Sequence, residues 1–391
     1  MNRRLFLLNG LAIVAVVCNH ATHWGYLVLL ADPNKPDLSG SGLNQLSHAG
    51  LVVAYYGLFA IEKLAVFSVP AFLFAAGCFA AFSSRTALRP AQPGLTASSS
   101  SSSSPARNPL WKIAQSRIVG LVVPHVIWSV VAFSLDALRG NVYSPLQYAA
   151  RLVYGGALSF YFFVPVLCQL YVLLPMLAPL AKRRPANLLL FSGITQVVFL
   201  GLFYASAILP IPEWLKHFMQ TNRHWSLAPV WMFFFMFGLV YGFHMDRFKV
   251  WLIRLRWVLL AAMLMLGLLA IAESNWFINA LGINMRFSPL TLPSSLYAVA
   301  CILCFLGFER VSFPASKALY YLSSRTFGIY LIHGLVLETV RFIVSKLLPV
   351  LEAEQLLYQP VLIATAVIIP LLVMASITRS PVRKLYPYLF G

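Results

Sequence analysis

Apolar residues run along the chain in long blocks. Each is about the length of a membrane-spanning helix, and each is closed by charge, Pro or polar loop residues. A spanning helix needs about 20 apolar residues. By that measure the pattern predicts ten spans, at about 5–30, 60–84, 116–137, 159–181, 187–209, 226–245, 253–272, 289–308, 321–344 and 358–378. The predicted fold is all-α: a polytopic membrane protein of about ten transmembrane helices around a central cavity, in one membrane-embedded domain over 1–391. The first block runs past Leu30, too long for a signal-peptide core, and reads as a first span.

Charge sharpens this reading. The sequence is 60% hydrophobic and 10% charged, with 29 Lys plus Arg against 11 Asp plus Glu and a net charge of +18. Soluble domains carry about 25% charged residues. With both termini placed in the cytoplasm, 20 of the 29 basic residues and only Asp246 and Glu309 of the acidic ones fall on the cytoplasmic side. The whole excess then lies on one face, as the positive-inside rule requires. The positive balance is therefore assigned to topology and not to nucleic acid. One connector, within 85–115, holds seven consecutive serines (Ser98 to Ser104) among prolines and reads as a flexible cytoplasmic loop. The outer loops near 31–47 and 210–225 are long enough to cap a cavity.

Polar groups inside a span are costly and mark candidate chemistry. The first span carries Asn9, His20 and His23. His20 lies 15 residues beyond Leu5, about 22 Å along the helix and in the outer half of the bilayer. Asn9 precedes it by 11 residues, three turns, so the two share a face about 16 Å apart. A neutral imidazole can take a proton from a hydroxyl or thiol; the alternative is a histidine bonded to a neighbouring helix. In the third span Arg117 stands at the cytoplasmic mouth, followed by Pro124 and His125. Arg117 reads either as a snorkelling topology arginine or as a phosphate contact. The ninth span holds Arg325 at its inner end, then Tyr330, His333 and Glu338. Glu62 and Lys63, at the start of the second span, read as a pair that neutralises itself.

Other chemistries lack their signatures. There is no GxSxG elbow, P-loop, HExxH or GxGxxG. Cys18, Cys78, Cys168, Cys301 and Cys304 all lie in apolar runs and read as buried hydrophobes; no metal site is expected.

The polar clusters, taken in order, resemble the acyltransferase-3 family of integral-membrane O-acyltransferases. The segments that carry the resemblance are NGLAIVAVVCNH at 9–20, FSVPAFLFAAGCFAAF at 67–82, RIVGLVVPHVIWS at 117–129, FFVPVLCQLYVLLPML at 162–177 and YLSSRTFGIYLIH at 321–333. Two positions depart from the family pattern: Asn9, where the family often has Arg, and Ala76, where it usually has Ser. The resemblance implies transfer of an acyl group, acetyl by expectation, from cytoplasmic acyl-CoA to a hydroxyl of an extracytoplasmic glycan or glycolipid. Acyl-CoA would be a co-substrate, with no bound cofactor, in a plasma-membrane protein. His20 would be the general base or a transient acyl carrier, with Asn9 on the thioester carbonyl. Arg117 and Arg325 would meet the donor phosphates, and Tyr330 and His333 would line the cavity. A glycolipid transporter or flippase without covalent chemistry, and a non-catalytic partner of a polysaccharide assembly system, are the alternatives.

Overall fold

The computed structural model describes residues 3–31, 49–88, 108–220, 225–282, 290–309 and 311–391. Among these there are helices and no strands. In chain order they are α1 (Arg3–Ala31), α2 (Ala49–Ala65), α3 (Ser68–Ala87), α4 (Pro109–Leu138), α5 (Pro145–Tyr154), α6 (Phe163–Arg183), α7 (Pro185–Ile208), α8 (Glu213–Gln220), α9 (Ala228–Leu281), α10 (Leu292–Gly307), α11 (Ser316–Ser323), α12 (Thr326–Leu347), α13 (Pro349–Ala353), α14 (Gln355–Arg379) and α15 (Tyr386–Phe390). The serine tract and most of the first outer loop lie outside the described residues. The flanking helices run to Ala87 and from Pro109, so the expected loop at 85–115 begins and ends inside helix.

Eight helical stretches are long and apolar enough to cross a membrane, which makes this an all-α, multi-pass membrane protein. One of them, α9, has 54 residues, about 80 Å if straight, against a hydrocarbon core of about 30 Å. It is not straight. His244 leaves helical geometry (φ −116°, ψ 24°). Beyond it, the Phe248 ring packs on Tyr241 at 5.5 Å and on Phe237 at 6.2 Å. Eleven residues of straight helix would put Phe237 and Phe248 about 16 Å apart. The helix therefore folds back at His244, and its two limbs correspond to the sixth and seventh predicted spans. The eighth is the 16-residue α10. The second begins earlier than expected: α2 and α3 form one apolar stretch, Val53–Ala87, interrupted by a turn at Val66–Phe67.

Close backbone approach sets the centre of the bundle. On α3 and the first limb of α9, Gly77 and Gly238 face the opposite backbone. A Cβ on Gly238 would come within 2.9 Å of the Phe74 Cα, and one on Gly77 within 2.8 Å of the Leu239 nitrogen. Without a hydrophobic drive between helices in lipid, such small-residue contacts provide the dispersion energy of association. Hence α3 is buried along most of its length.

Basic side chains collect at one end of the bundle. Arg4 is 6% exposed and donates to the carbonyls of Phe308, Glu309 and Val311 at the end of α10. Arg85 donates to the Gly242 carbonyl, Lys182 to that of Leu88, and Lys249 pairs with Glu309 at 2.9 Å. These contacts gather the ends of α1, α3, α6 and α10 and the α9 bend at a single basic face. At the other end, Arg139 of α4 pairs with Glu338 of α12 at 2.7 Å.

Candidate functional site

The local sequence after α5 builds the wall of the site. Gly155 caps that helix at φ +74°, a conformation that suits glycine. The chain then runs through Gly156–Phe162 as turns and bends before α6 begins at Phe163, four residues later than predicted. Apart from Gly156 and the exposed Ser159 this non-helical stretch is buried, the setting in which irregular backbone is tolerated at membrane depth. Two hydrogen bonds fasten it to α12: the Tyr330 hydroxyl donates to the Phe160 carbonyl at 2.6 Å, and the Tyr161 hydroxyl donates to the Leu331 carbonyl at 2.5 Å. Phe160 is thereby held beside α1 and α12 by polar contacts as well as by packing.

His20 of α1 lines a cavity of about 50 Å³ with Asn19, Ser68, Phe160, Trp231 and Tyr330. Among the described residues no carboxylate or cysteine lines it. Its ring lies 4.8 Å from Phe160 and 5.4 Å from His333, centroid to centroid. Phe160 covers His333 as well, at 4.6 Å. His333 is 0% exposed, and its Nδ1 lies 2.7 Å from the Tyr330 carbonyl and 3.1 Å from that of Ile329. Asn19, one residue before His20, donates its amide to the Glu62 carbonyl and ties α1 to α2. Two imidazoles, a tyrosine and a serine thus meet in an aromatic enclosure. Such a site can accept a proton from a hydroxyl with little water to compete.

Of the six residues singled out from sequence, three come together: His20, Tyr330 and His333. The others do not reach this cavity. Asn9 sits three turns nearer the basic face, its amide donating to Thr326 Oγ1 at 3.2 Å and reaching the Ser323 carbonyl at 3.5 Å. Arg117 and Arg325 lie towards the basic face. Arg117 reaches Ser83 Oγ at 3.4 Å; Arg325 donates to Ser324 Oγ at 2.9 Å and stacks on Tyr321 at 3.7 Å. Both are partly solvent-accessible, and neither pairs with a carboxylate among the described residues. His125 is occupied elsewhere, with Nε2 3.2 Å from the Leu152 carbonyl. Glu62 and Lys63 are both fully buried.

Sequence reading missed Phe160, Ser68 and Trp231. The advance signal for Phe160 was the run SFYFF at 159–163, which resembles any aromatic span end, and Ser68 lay within the quoted segment 67–82.

A family model described as an acyltransferase domain matches residues 3–377. A curated protein of Bacillus subtilis (strain 168), named "Putative membrane-bound acyltransferase YfiQ", is 26% identical over 216 residues. That match covers 54% of this chain and 57% of the relative. No solved structure matches the chain. The family match takes in every element from α1 nearly to the end of α14, including His20, Phe160, Tyr330 and His333, and places the chain in the acyltransferase-3 family.

Proposed function

We propose that the protein is a plasma-membrane O-acyltransferase that moves a short acyl group, acetyl, from acyl-CoA to a hydroxyl of a glycan or glycolipid. The observation that carries this reading is His20: an imidazole in an aromatic cavity, beside a second imidazole and with no carboxylate in the lining among the described residues. In the proposed reaction a His20 ring nitrogen takes the acceptor's hydroxyl proton as the oxygen attacks the thioester carbonyl. The C–O bond forms, the C–S bond breaks, and the thiolate takes the proton back from the imidazolium. Atoms and charge balance without a cofactor.

The cavity volume favours a small acyl group. About 50 Å³ of free space accommodates a few waters or an acetyl group, and a long acyl chain would need the aromatic walls to part. The basic face supplies the donor side: the phosphates of CoA would meet Arg117 and Arg325, and Asn9 would lie along the path of the donor's arm. The 16 Å between Asn9 and His20 argues against Asn9 as the thioester-carbonyl contact. With the basic face in the cytoplasm, both termini are cytoplasmic and the acceptor approaches from the opposite side. The test supplies membranes carrying the protein with radiolabelled acetyl-CoA or palmitoyl-CoA, in the presence of cell-derived lipid and glycan. Label should move to an acceptor from acetyl-CoA alone. Transfer from neither donor would overturn the reading, and transfer from palmitoyl-CoA would overturn the acyl-length argument.

A further inference from the structure

We propose that His333 is a positioning residue for the chemistry at His20. Its Nε2 accepts one ring N–H of His20, so that the other His20 nitrogen presents a bare lone pair to the cavity. This rests on the acyl-transfer reading above, but its basis is separate.

His333 Nδ1 lies within hydrogen-bond reach of two backbone carbonyls, Ile329 and Tyr330. Carbonyl oxygens only accept, so Nδ1 carries the hydrogen. In a neutral imidazole this makes Nε2 an acceptor with no hydrogen of its own. That Nε2 is buried and has no hydrogen-bond partner among the described residues. A buried acceptor left unsatisfied costs about 1–3 kcal/mol, so the position calls for a donor.

Three rings pack on His333, those of His20, Phe160 and Tyr330, and their chemistry points to the donor. The Tyr330 hydroxyl is committed to the Phe160 carbonyl and the Tyr161 hydroxyl to the Leu331 carbonyl. His125 reaches the Leu152 carbonyl. The remaining donor ring is His20, with its centroid 5.4 Å away. Allowing about 1.2 Å from each centroid to a ring nitrogen, two nitrogens turned towards each other would stand about 3 Å apart, which is hydrogen-bond distance. The two planes are inclined by 34°, and Phe160 packs against both rings. Turning a His20 nitrogen towards His333 Nε2 therefore closes the bond at the present separation of the two rings.

The consequence is a fixed tautomer. α12 sets the tautomer of His333, and His333 sets that of His20. His20 then meets a hydroxyl with a lone pair instead of an N–H, and the imidazolium formed after proton transfer is stabilised by the acceptor behind it. This is the role an orienting group plays behind any histidine base. His333 itself takes no proton in the step.

The test uses the full chain in nanodiscs, with two readouts. The first is the ¹⁵N spectrum of histidine-labelled wild type near neutral pH, assigned with His20→Asn and His333→Gln. The expected result is His333 protonated at Nδ1, with Nε2 a hydrogen-bonded acceptor. A His333 protonated at Nε2 overturns the proposal, and this result does not depend on any variant folding. The second is thiol release from acetyl-CoA, with cell-derived lipid and glycan extract as acceptor. His333→Phe should lower kcat by about 10²-fold with KM for acetyl-CoA held within about twofold. His20 in that variant should redistribute between its tautomers. His333→Gln keeps an acceptor oxygen and should recover about tenfold of the loss. Equal losses in both variants with an unchanged His20 tautomer, or no loss in His333→Phe, overturn the proposal. If the wild type releases no thiol and labels no acceptor, the acyl-transfer reading falls, while the spectrum still decides whether the two rings are coupled.

Discussion

The packing of Gly334 against Phe160 permits a sharp prediction. Gly334 follows His333 in α12, and an ideal Cβ there would stand 3.0 Å from Cε2 of Phe160 and nearer still to Cζ and Cε1. Ordinary contact lies at 3.4–4 Å, so the ring edge must retreat by at least about 1 Å. It has nowhere easy to go. The rings of His20 and His333 lie 4.8 and 4.6 Å from its centroid, and the Phe160 backbone is held by the Tyr330 hydroxyl. Overpacking of this kind costs about 1–3 kcal/mol. In acyl transfer the same shift displaces the proposed base, and a misplacement of about 1 Å can cost about 10²-fold in rate. Gly334→Ala should therefore lower both thermal stability in detergent and label transfer from acetyl-CoA. Phe160→Leu removes the ring edge that the new methyl meets. The double variant Gly334→Ala/Phe160→Leu should then be more stable than the sum of the single effects predicts, with a coupling of about 1 kcal/mol or more. Additive effects, or a Gly334→Ala protein of wild-type stability and rate, would refute the placement of Phe160 between the glycine and the histidines.

Three further outcomes are expected. Gly238→Ala forces apart the backbones of α3 and α9 and should lower folded yield and melting temperature, by about 2–3 kcal/mol of stability or more; Gly201→Ala, with open space around its Cα, should be neutral or mildly stabilising by up to about 1 kcal/mol. Arg4→Gln removes a guanidinium that serves the Phe308, Glu309 and Val311 carbonyls, and should cost about 1–3 kcal/mol in a thermal-shift assay. Arg4→Lys should rescue it only in part, because an ammonium lacks the planar fork. Reporter fusions after Phe248 and at both termini should all report the same side of the membrane, with fusions near residue 212 reporting the other; a terminus opposite to the α9 bend would mean that α9 does not cross twice.

The fold was largely legible because membrane helices advertise themselves by length and hydropathy. The charge cluster Asp246–Lys249 separated the two limbs of α9 in the sequence, although the backbone keeps helical geometry through those charges and breaks only at His244. The site was legible where it lay on regular helix. Helical spacing put His20 in the outer half of α1, and Tyr330 and His333 on one turn of α12. What brings them together was not legible. Phe160 and Tyr161 are tied to α12 across 170 residues of chain by hydrogen bonds to backbone carbonyls, which carry no residue signature. Nor does composition distinguish SFYFF as a buried irregular wall from SFYFF as a helix start. Arg117 and Arg325 were easy to find as charges near span ends. Their separation from His20 was legible too, since both stand at the inner ends of their spans and His20 lies in the outer half of its own.

Acyl transfer at His20 is the step to measure. Its most direct measurement uses sealed vesicles oriented with the basic face outward, carrying either wild type or His20→Ala, with a cell-derived acceptor pool enclosed. Radiolabelled acetyl-CoA is supplied outside, and label is followed into the enclosed lipid and glycan fractions. Label is expected in the enclosed acceptor with wild type, and background with a well-folded His20→Ala protein. Equal label in both would remove His20 from the chemistry, and no label in either would contradict acyl transfer itself.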